Sequence, residues 1–239
     1  MSTQPSPPPP PRQSPSPQAP QPSLTERRKA ATQLDIARAA AELFAERGPD
    51  GTTAEEIAGR AGVALRTFYR YFRNKQDAVA PLLAGGAAEW RAHLAGLDPA
   101  AGVPTALEQS IADALTATDD RAAEALEWTR GLLRAAQDDP ALRAVWYRVN
   151  QESEEQLVPV IARLAAGRAD AAADADAADD LDVRLTAAAA TDAVRLALET
   201  WAATDAPAEG PGSPADLAVR CLRELTGGLR LLAAGREDG

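Results

Sequence analysis

The residues best suited to specific chemistry lie between positions 66 and 75, where cationic and hydroxyl side chains alternate with aromatic ones. Phe68 and Phe72 are four residues apart, so they share one face of a helix. The opposite face then carries four polar side chains, namely Arg66, Thr67, Arg70 and Tyr71. Arginine can pair with guanine through two hydrogen bonds, and threonine or tyrosine can contact a thymine methyl group or a phosphate oxygen. The pattern predicts a helix that packs with one face and contacts nucleic acid with the other.

A second short helical pattern precedes this one and ends at a glycine. Thr53 and Glu56 have the spacing of a capping box, which begins a helix, and Ile57 and Ala58 supply its apolar face. Gly62 can adopt the positive φ that ends a helix, so the chain turns and a new helix begins within about three residues. The two patterns together predict a helix-turn-helix. After it, Asn74 is expected to cap the next helix and to place Lys75 where a phosphate meets an ammonium group.

The stretches TTAEEIA, AGV and RTFYRYF followed by NK resemble the DNA-binding signature of the TetR family of bacterial one-component regulators. The resemblance extends over Thr25 to Val79. It implies that Arg66 and Thr67 approach bases, and that phosphates are held by Thr53, Tyr69, Tyr71 and Lys75. Arg70 completes the candidate DNA contacts. The sequence departs from the family at Ala64, where relatives often carry a capping Ser or Thr, and a missing cap costs about 1 kcal/mol.

Charge is distributed unevenly along the chain. The net charge is −10, yet residues 24–80 carry ten Lys and Arg against eight Asp and Glu, while residues 81–239 carry fourteen against twenty-seven. The acidic body repels phosphate and leaves the small basic part as the DNA-binding surface. We therefore expect strongly salt-dependent binding.

The composition divides the chain into three parts. Residues 1–23 are rich in Pro, Ser and Gln and are expected to be a disordered tail. Residues 24–80 form the predicted three-helix DNA-binding domain, and residues 81–239 form a larger helical domain for ligand binding and dimerisation. Apolar residues recur at helical spacing and nowhere alternate as in strands, so the expected fold class is all-α. The helix that starts at Asn74 is expected to link the domains, with a kink where Pro81 interrupts it.

The sequence contains no signal for a membrane, a disulfide or a metal site. The chain has no apolar run of membrane-spanning length, and its single cysteine, Cys221, excludes an internal disulfide. We therefore expect a cytoplasmic protein with no membrane association. The acidic run from Asp174 to Asp182 lacks the turn glycine and the terminal glutamate of a calcium loop, and is interpreted as a solvated linker without metal. No cofactor is expected.

The C-terminal part is expected to bind a small molecule. The stretches ALRAVWYRVNQESEEQL and AVRLALETWAA are similar to TetR regulators of the acyl-CoA-like ligand-binding subfamily. Apolar helical side chains can line a pocket, and the candidates are Trp90, Trp128, Leu132, Trp146, Tyr147 and Val149. Each of them also fits an ordinary core. Arg130 and Arg134 are candidates for an anionic head group or for ion pairs with Glu127 and Asp138. His93 is expected to be a partly exposed helix residue.

Two functions remain open from the sequence. The first is a dimeric repressor that binds an inverted-repeat operator in double-stranded DNA and is released by a small, apolar or acyl-type effector. The resemblance implies that its last two helices pair with those of a second subunit. The alternative is an all-helical carrier or enzyme that does not bind DNA. With one histidine, one cysteine and no phosphate loop, the sequence offers few catalytic groups, and we expect no catalytic residue and no enzymatic activity.

Overall fold

The computed structural model describes residues 23–167 and 180–227, and every regular element in these ranges is helical. The predicted all-α class is confirmed. The Pro-rich segment 1–22, residues 168–179 of the acidic run, and the predicted end of the last helix lie outside the described residues. The helices are α1 (Leu24–Arg47), α2 (Ala54–Arg60), α3 (Leu65–Tyr71), α4 (Ala80–Ala95), α5 (Val103–Leu115), α6 (Asp120–Ala135), α7 (Pro140–Ala166), α8 (Asp180–Ala202) and α9 (Pro214–Thr226). Short 3₁₀ turns, Asp77–Val79 and Pro99–Ala101, precede α4 and α5.

The first three helices pack around a small apolar core. Its centre consists of side chains without solvent exposure, among them Ile36 of α1, Ile57 of α2 and Phe68 of α3. Ser23 begins α1 with a capping box to Glu26, in which the Ser23 Oγ accepts from the Glu26 amide at 3.2 Å. Buried Thr52 holds the loop between α1 and α2, because its hydroxyl donates to the Gly48 carbonyl at 2.9 Å. This core fixes the orientation of α3.

The connection to the larger part of the chain differs from the predicted kinked helix. The Asn74 side chain accepts a hydrogen bond from the Asp77 amide at 2.7 Å, as a cap does, but it begins a separate 3₁₀ turn. Pro81 lies in the first turn of α4, where a missing N–H removes no intrahelical hydrogen bond. The expectation that Pro81 interrupts a continuous helix is therefore wrong.

The C-terminal helices surround a second part of the same apolar core. Helix α4 packs against α5 and α7, α8 packs against α6, α7 and α9, and α5 also contacts α9. Asp139 caps α7 by accepting from the amides of Ala141 and Leu142, and Ser213 caps α9 by accepting from the Asp216 amide. The predicted starts of both helices are confirmed. Small residues such as Ala187, Ala190 and Ala197 are fully buried on α8, which lets its neighbours approach closely.

The first three helices and the C-terminal helices contact each other at several points. Helix α1 packs against α4 and α6 as well as against α2. The Gln76 amide donates to Asp139 at 2.9 Å, and Arg148 of α7 pairs with Asp77 at 2.9 Å. Burial by itself would raise the pKa of Asp139, but the hydrogen bonds from Gln76 and from the α7 amides outweigh it and hold the pKa below its usual value. Helix α7 and its N-cap are thus in direct contact with the segment that follows α3.

Candidate nucleic-acid interface

Helices α2 and α3 form the predicted helix-turn-helix. The Thr53 hydroxyl accepts from the Glu56 amide at 3.2 Å, and the Glu56 carboxylate accepts from the Thr53 amide at 2.8 Å, which completes the capping box. Gly62 has φ of 67°, and the chain closes behind it through a hydrogen bond from the Val63 amide to the Ala58 carbonyl at 2.9 Å. A side chain would be strained at this φ, so glycine is required for the turn.

Helix α3 has a buried face and an exposed face, but Tyr71, predicted on the exposed face, packs against the core. Phe68 is fully buried and Phe72 is 6% exposed, with their ring centroids 5.7 Å apart. On the other side Arg66, Tyr69 and Arg70 are exposed, while two further candidates are half-buried, namely Thr67 and Tyr71. Ala64 precedes the helix and provides no side-chain cap. The packing of the two phenylalanines therefore decides which side chains α3 presents.

The cations around α3 differ from those where α1 meets α2 in how they are paired. Arg47 pairs with Glu56 at 2.8 Å and Arg60 with Glu46 at 2.5 Å, so the charges at the contact of α1 with α2 are balanced. Within the two described ranges, Arg66 and Arg73 take part in no hydrogen bond or ion pair. Arg70 lies against the Tyr71 ring, 4.8 Å from its centroid. The surface of α3 and the turn after it therefore carries uncompensated positive charge.

Arg73 is a candidate contact that the sequence reasoning missed. It is exposed and follows directly on the buried Phe72 at the end of α3. Its place in the basic run from Arg66 to Lys75 was the signal available. A helical-face argument does not select it, because the helix has already ended at that position.

Two of the predicted phosphate contacts already have partners. The Thr53 hydroxyl also donates to Glu56 at 3.0 Å, and the Lys75 ammonium donates to the Thr52 carbonyl at 3.0 Å while remaining half-buried. The Thr53 amide and the Arg47 guanidinium hold the pKa of the Glu56 carboxyl below its usual value, so the group is ionised at neutral pH. Lys75 therefore links the segment after α3 to the α1–α2 loop through this hydrogen bond, and its half-buried ammonium group is still accessible to a phosphate.

A large cavity lies between α1, α4, α5, α6, α7 and α8, with a volume of about 620 Å³. Four of the six predicted pocket residues line it, namely Trp90, Trp128, Trp146 and Val149. Leu132 lines a smaller cavity of about 270 Å³ beside Phe44 of α1. Tyr147 lines neither and is 49% exposed, because one residue along a helix turns the side chain about 100° away from Trp146.

The remaining polar candidates of the C-terminal part hold the fold together. Arg130 pairs with Glu127 at 3.2 Å, as predicted, and its guanidinium lies 3.6 Å from the centroid of the Trp201 ring. Arg134 binds the carbonyl of Ala202 and the carboxylate of Asp205, so the expected pair with Asp138 is wrong. The α6 arginines thus face the α8–α9 loop, which the sequence cannot place beside them. His93 is exposed and lies 3.1 Å from Asp113.

Two searches of the described residues give negative results. No group of His, Cys, Asp and Glu in residues 23–167 and 180–227 is arranged to hold a metal ion. None of the described helices is long and apolar enough to cross a membrane.

Comparison with known proteins agrees with this geometry. Residues 36–80 match the family model described as bacterial regulatory proteins of the tetR family. The matched segment contains α2, α3 and the turn between them.

One curated relative and one solved structure extend the comparison. The HTH-type transcriptional regulator TcmR of Streptomyces glaucescens is 33% identical over 150 residues, which cover 59% of this chain and 63% of that regulator. The chain thus spans less than two thirds of that relative's length. A structure described as a TetR-family transcriptional regulator from Rhodococcus sp. has a TM-score of 0.52 at 19% identity and covers 83% of this chain and 99% of that one. This second likeness concerns the fold alone.

Proposed function

We propose that the chain is a member of the TetR family of bacterial regulatory proteins and acts as a dimeric, ligand-responsive repressor that binds operator DNA in the cytoplasm. The observation that carries the proposal is the outer face of α3. It presents Arg66, whose side chain has no partner among the described residues, beside Arg70 and Tyr69, on a helix whose other face is fixed by buried Phe68.

Each side chain of this face has a role that follows from its chemistry. Arg66 and Thr67, near the start of α3, contact base edges in the major groove, where arginine pairs with guanine and the threonine methyl group meets thymine. Phosphates are held by side chains at the edges of the surface, namely Thr53, Tyr69, Arg70, Tyr71, Arg73 and Lys75. Phosphate contacts fix the register of the helix, and base contacts supply the sequence preference.

A second copy of the chain is the partner that fits α8 and α9. Seven large hydrophobic side chains of the described residues are exposed, and four of them lie on these two helices, namely Leu181, Leu185, Leu196 and Leu225. Exposed apolar side chains grouped on two helices that pack together are typical of a protein interface. A twofold dimer presents two copies of α3 about 34 to 36 Å apart, which matches an operator built as an inverted repeat.

The effector is a small, mainly apolar molecule, and an acyl chain is one such group. The cavity has the volume and the tryptophan-rich lining that suit a ligand of this kind. Its wall includes Gln33, Leu34 and Arg38 of α1, which belongs to the DNA-binding part, and Trp146 and Val149 of α7. A ligand that favours a different spacing of α1 and α7 therefore changes the separation of the two α3 helices and releases the DNA. The ligand can shift the equilibrium between the two arrangements only by the difference between its binding free energies for them.

The test is selection of bound DNA from a random double-stranded library by the purified full chain, carried out at two salt concentrations. We expect a single inverted repeat to be enriched at low salt and enrichment to fall at high salt, because counterions compete for the phosphates. The same selection with Arg66→Ala serves as the matched control and should return a less defined half-site. A folded dimer that enriches no sequence at either salt concentration contradicts the proposal.

A further inference from the structure

Two hydroxyl groups of the buried cavity wall, those of Thr191 and Ser153, have no hydrogen-bond partner among the described residues, and the Thr191 oxygen is the fully buried one of the two. Thr191 of α8 is 4% exposed and lines the cavity, and its Oγ1 is buried without a hydrogen-bond partner. A buried polar group without a partner costs about 1 to 3 kcal/mol. Native structures tolerate such groups rarely, and most often where a ligand or water completes them.

Two of the three tryptophans that line the cavity have their indole N–H groups engaged. The Trp90 indole N–H donates to the Ser110 hydroxyl at 2.9 Å, and the Trp146 indole N–H donates to Glu199 at 2.8 Å. Both rings therefore offer the cavity only their carbon surfaces. The indole N–H of the half-buried Trp128 has no partner among the described residues. The Thr191 Oγ1 is the fully buried polar atom of the lining that has no partner among these residues.

The charge distribution of the lining restricts what can enter. Every charged side chain of the lining is exposed and lies at the mouth, namely Arg38, Glu89, Asp119, Arg121 and Glu124. Arg121 and Glu89 pair with each other there at 3.6 Å. The buried lining is apolar apart from the hydroxyls of Thr191 and Ser153, which stand on facing helices. An ionised group inside would lose its hydration without gaining a counter-charge.

We infer that the Thr191 hydroxyl is the polar anchor of the cavity, and that it binds a hydroxyl or carbonyl group of a neutral, mainly apolar effector. A threonine hydroxyl donates one hydrogen bond and accepts others, so it is compatible with both groups. The inference rests on the proposed function in taking the cavity as the effector site, and it adds the chemical class of the effector and the residue that selects it.

Helix α8 provides a matched control for this hydroxyl. Thr186 is fully buried five residues before Thr191, but its hydroxyl donates to the Asp182 carbonyl at 2.7 Å. Valine has nearly the shape and the helix propensity of threonine, so Thr→Val at either site reports chiefly on the hydroxyl. Thr191→Val should raise the thermal midpoint of the ligand-free protein, whereas Thr186→Val should lower it.

The binding test uses three probes with the same ring system: naphthalene, 2-naphthol and 2-naphthoate, titrated calorimetrically into the full chain without DNA. We expect 2-naphthol to bind the wild type about two- to twelvefold more tightly than naphthalene, which corresponds to one net hydrogen bond, and 2-naphthoate to bind most weakly. Thr191→Val should abolish the preference for 2-naphthol. Thr191→Ser, which keeps the hydroxyl, and Thr186→Val should retain it.

Several results would overturn the inference. These are an unchanged preference for 2-naphthol in Thr191→Val, a destabilisation by Thr191→Val as large as that by Thr186→Val, and the absence of binding by all three probes. Because the titrations contain no DNA, failure of the operator selection leaves this test intact. Conversely, a recovered operator together with an unchanged probe preference removes the Thr191 anchor and leaves the regulator in place.

Discussion

The outer face of α3 and the wall of the cavity use polar side chains in opposite ways. On α3 the polar groups are numerous, exposed and only partly paired, with Arg66 and Arg73 free of ion pairs among the described residues. In the buried wall of the cavity they are few, and the indole N–H groups of Trp90 and Trp146 are satisfied internally. An exposed charged face gains affinity from many partly solvated contacts, and salt weakens those contacts. A buried apolar wall gains affinity from the area it covers, and its selectivity depends on a few polar groups such as the Thr191 hydroxyl.

Substitutions in these two regions should affect the stability of the fold differently. Residues of the cavity wall belong to the core, so changing them affects folding and ligand binding together. The exposed residues of α3 contribute little to the core, so changing them should affect DNA binding and leave folding nearly unchanged. Substitutions can therefore separate the two regions.

The largest effect is expected for Trp146→Ala. The side chain is 5% exposed, and its removal should lower the free energy of unfolding by about 3 to 5 kcal/mol, because it enlarges the cavity and removes the indole donor to Glu199, which keeps only Arg195. Urea denaturation measures the change. Tyr147→Ala is the control at the adjacent, exposed position, with an expected loss below about 1 kcal/mol. Similar losses for the two variants would mean that the wall of the cavity is not part of the core.

Arg66→Ala should have an intermediate effect confined to DNA. We expect a loss of about 1 to 3 kcal/mol of binding free energy on the selected operator and a relaxed base preference at one position of each half-site. The free energy of unfolding should stay within about 0.5 kcal/mol of the wild type. Fluorescence anisotropy on the operator and its single-base variants measures the binding. Arg121→Ala removes the same charge from the mouth of the cavity and should leave DNA affinity almost unchanged. Equal losses of DNA affinity in both variants would mean that Arg66 acts only through the net charge of the protein and contacts no base.

Lys75→Ala should have the smallest effect, and it should be uniform over DNA sequences. Loss of one phosphate contact should lower the salt slope of binding by about 1 without changing base preference. The lost hydrogen bond to the Thr52 carbonyl should also lower the free energy of unfolding by about 1 kcal/mol. This substitution should therefore change both DNA binding and folding stability. Salt titrations of DNA binding measure the slope, with Arg184→Ala on α8 as the charge-matched control. An unchanged slope would assign Lys75 to the fold alone.

Local spacing accounts for what could be predicted. The capping box of Thr53, the turn at Gly62 and the division of α3 by Phe68 and Phe72 depend on residues no more than four positions apart. Such features form wherever the helix forms, so the sequence pattern is sufficient to predict them. The same holds for the caps at Asp139 and Ser213, which begin α7 and α9 where they were expected.

Features that depend on distant neighbours were predicted poorly. Pro81 looked like an interruption because the boundary between the 3₁₀ turn and α4 could not be placed from the sequence. Lys75 meets a carbonyl 23 positions earlier, and Arg134 meets Asp205 instead of its own helix. Tyr147 belongs to the right helix but to its outer side, and only the packing of α7 against its neighbours decides which side faces the cavity.

The sequence by itself determined that the chain is helical, where its first helices begin and end, and which side chains α3 turns outward, because these follow from propensity, capping and spacing along the chain. The tertiary structure alone decided which helices line a cavity, that the indole N–H groups of Trp90 and Trp146 are satisfied, and that Thr191 has no partner among the described residues. Whether a buried hydroxyl is satisfied depends on atoms from several helices far apart in sequence. No pattern in one segment can contain that information.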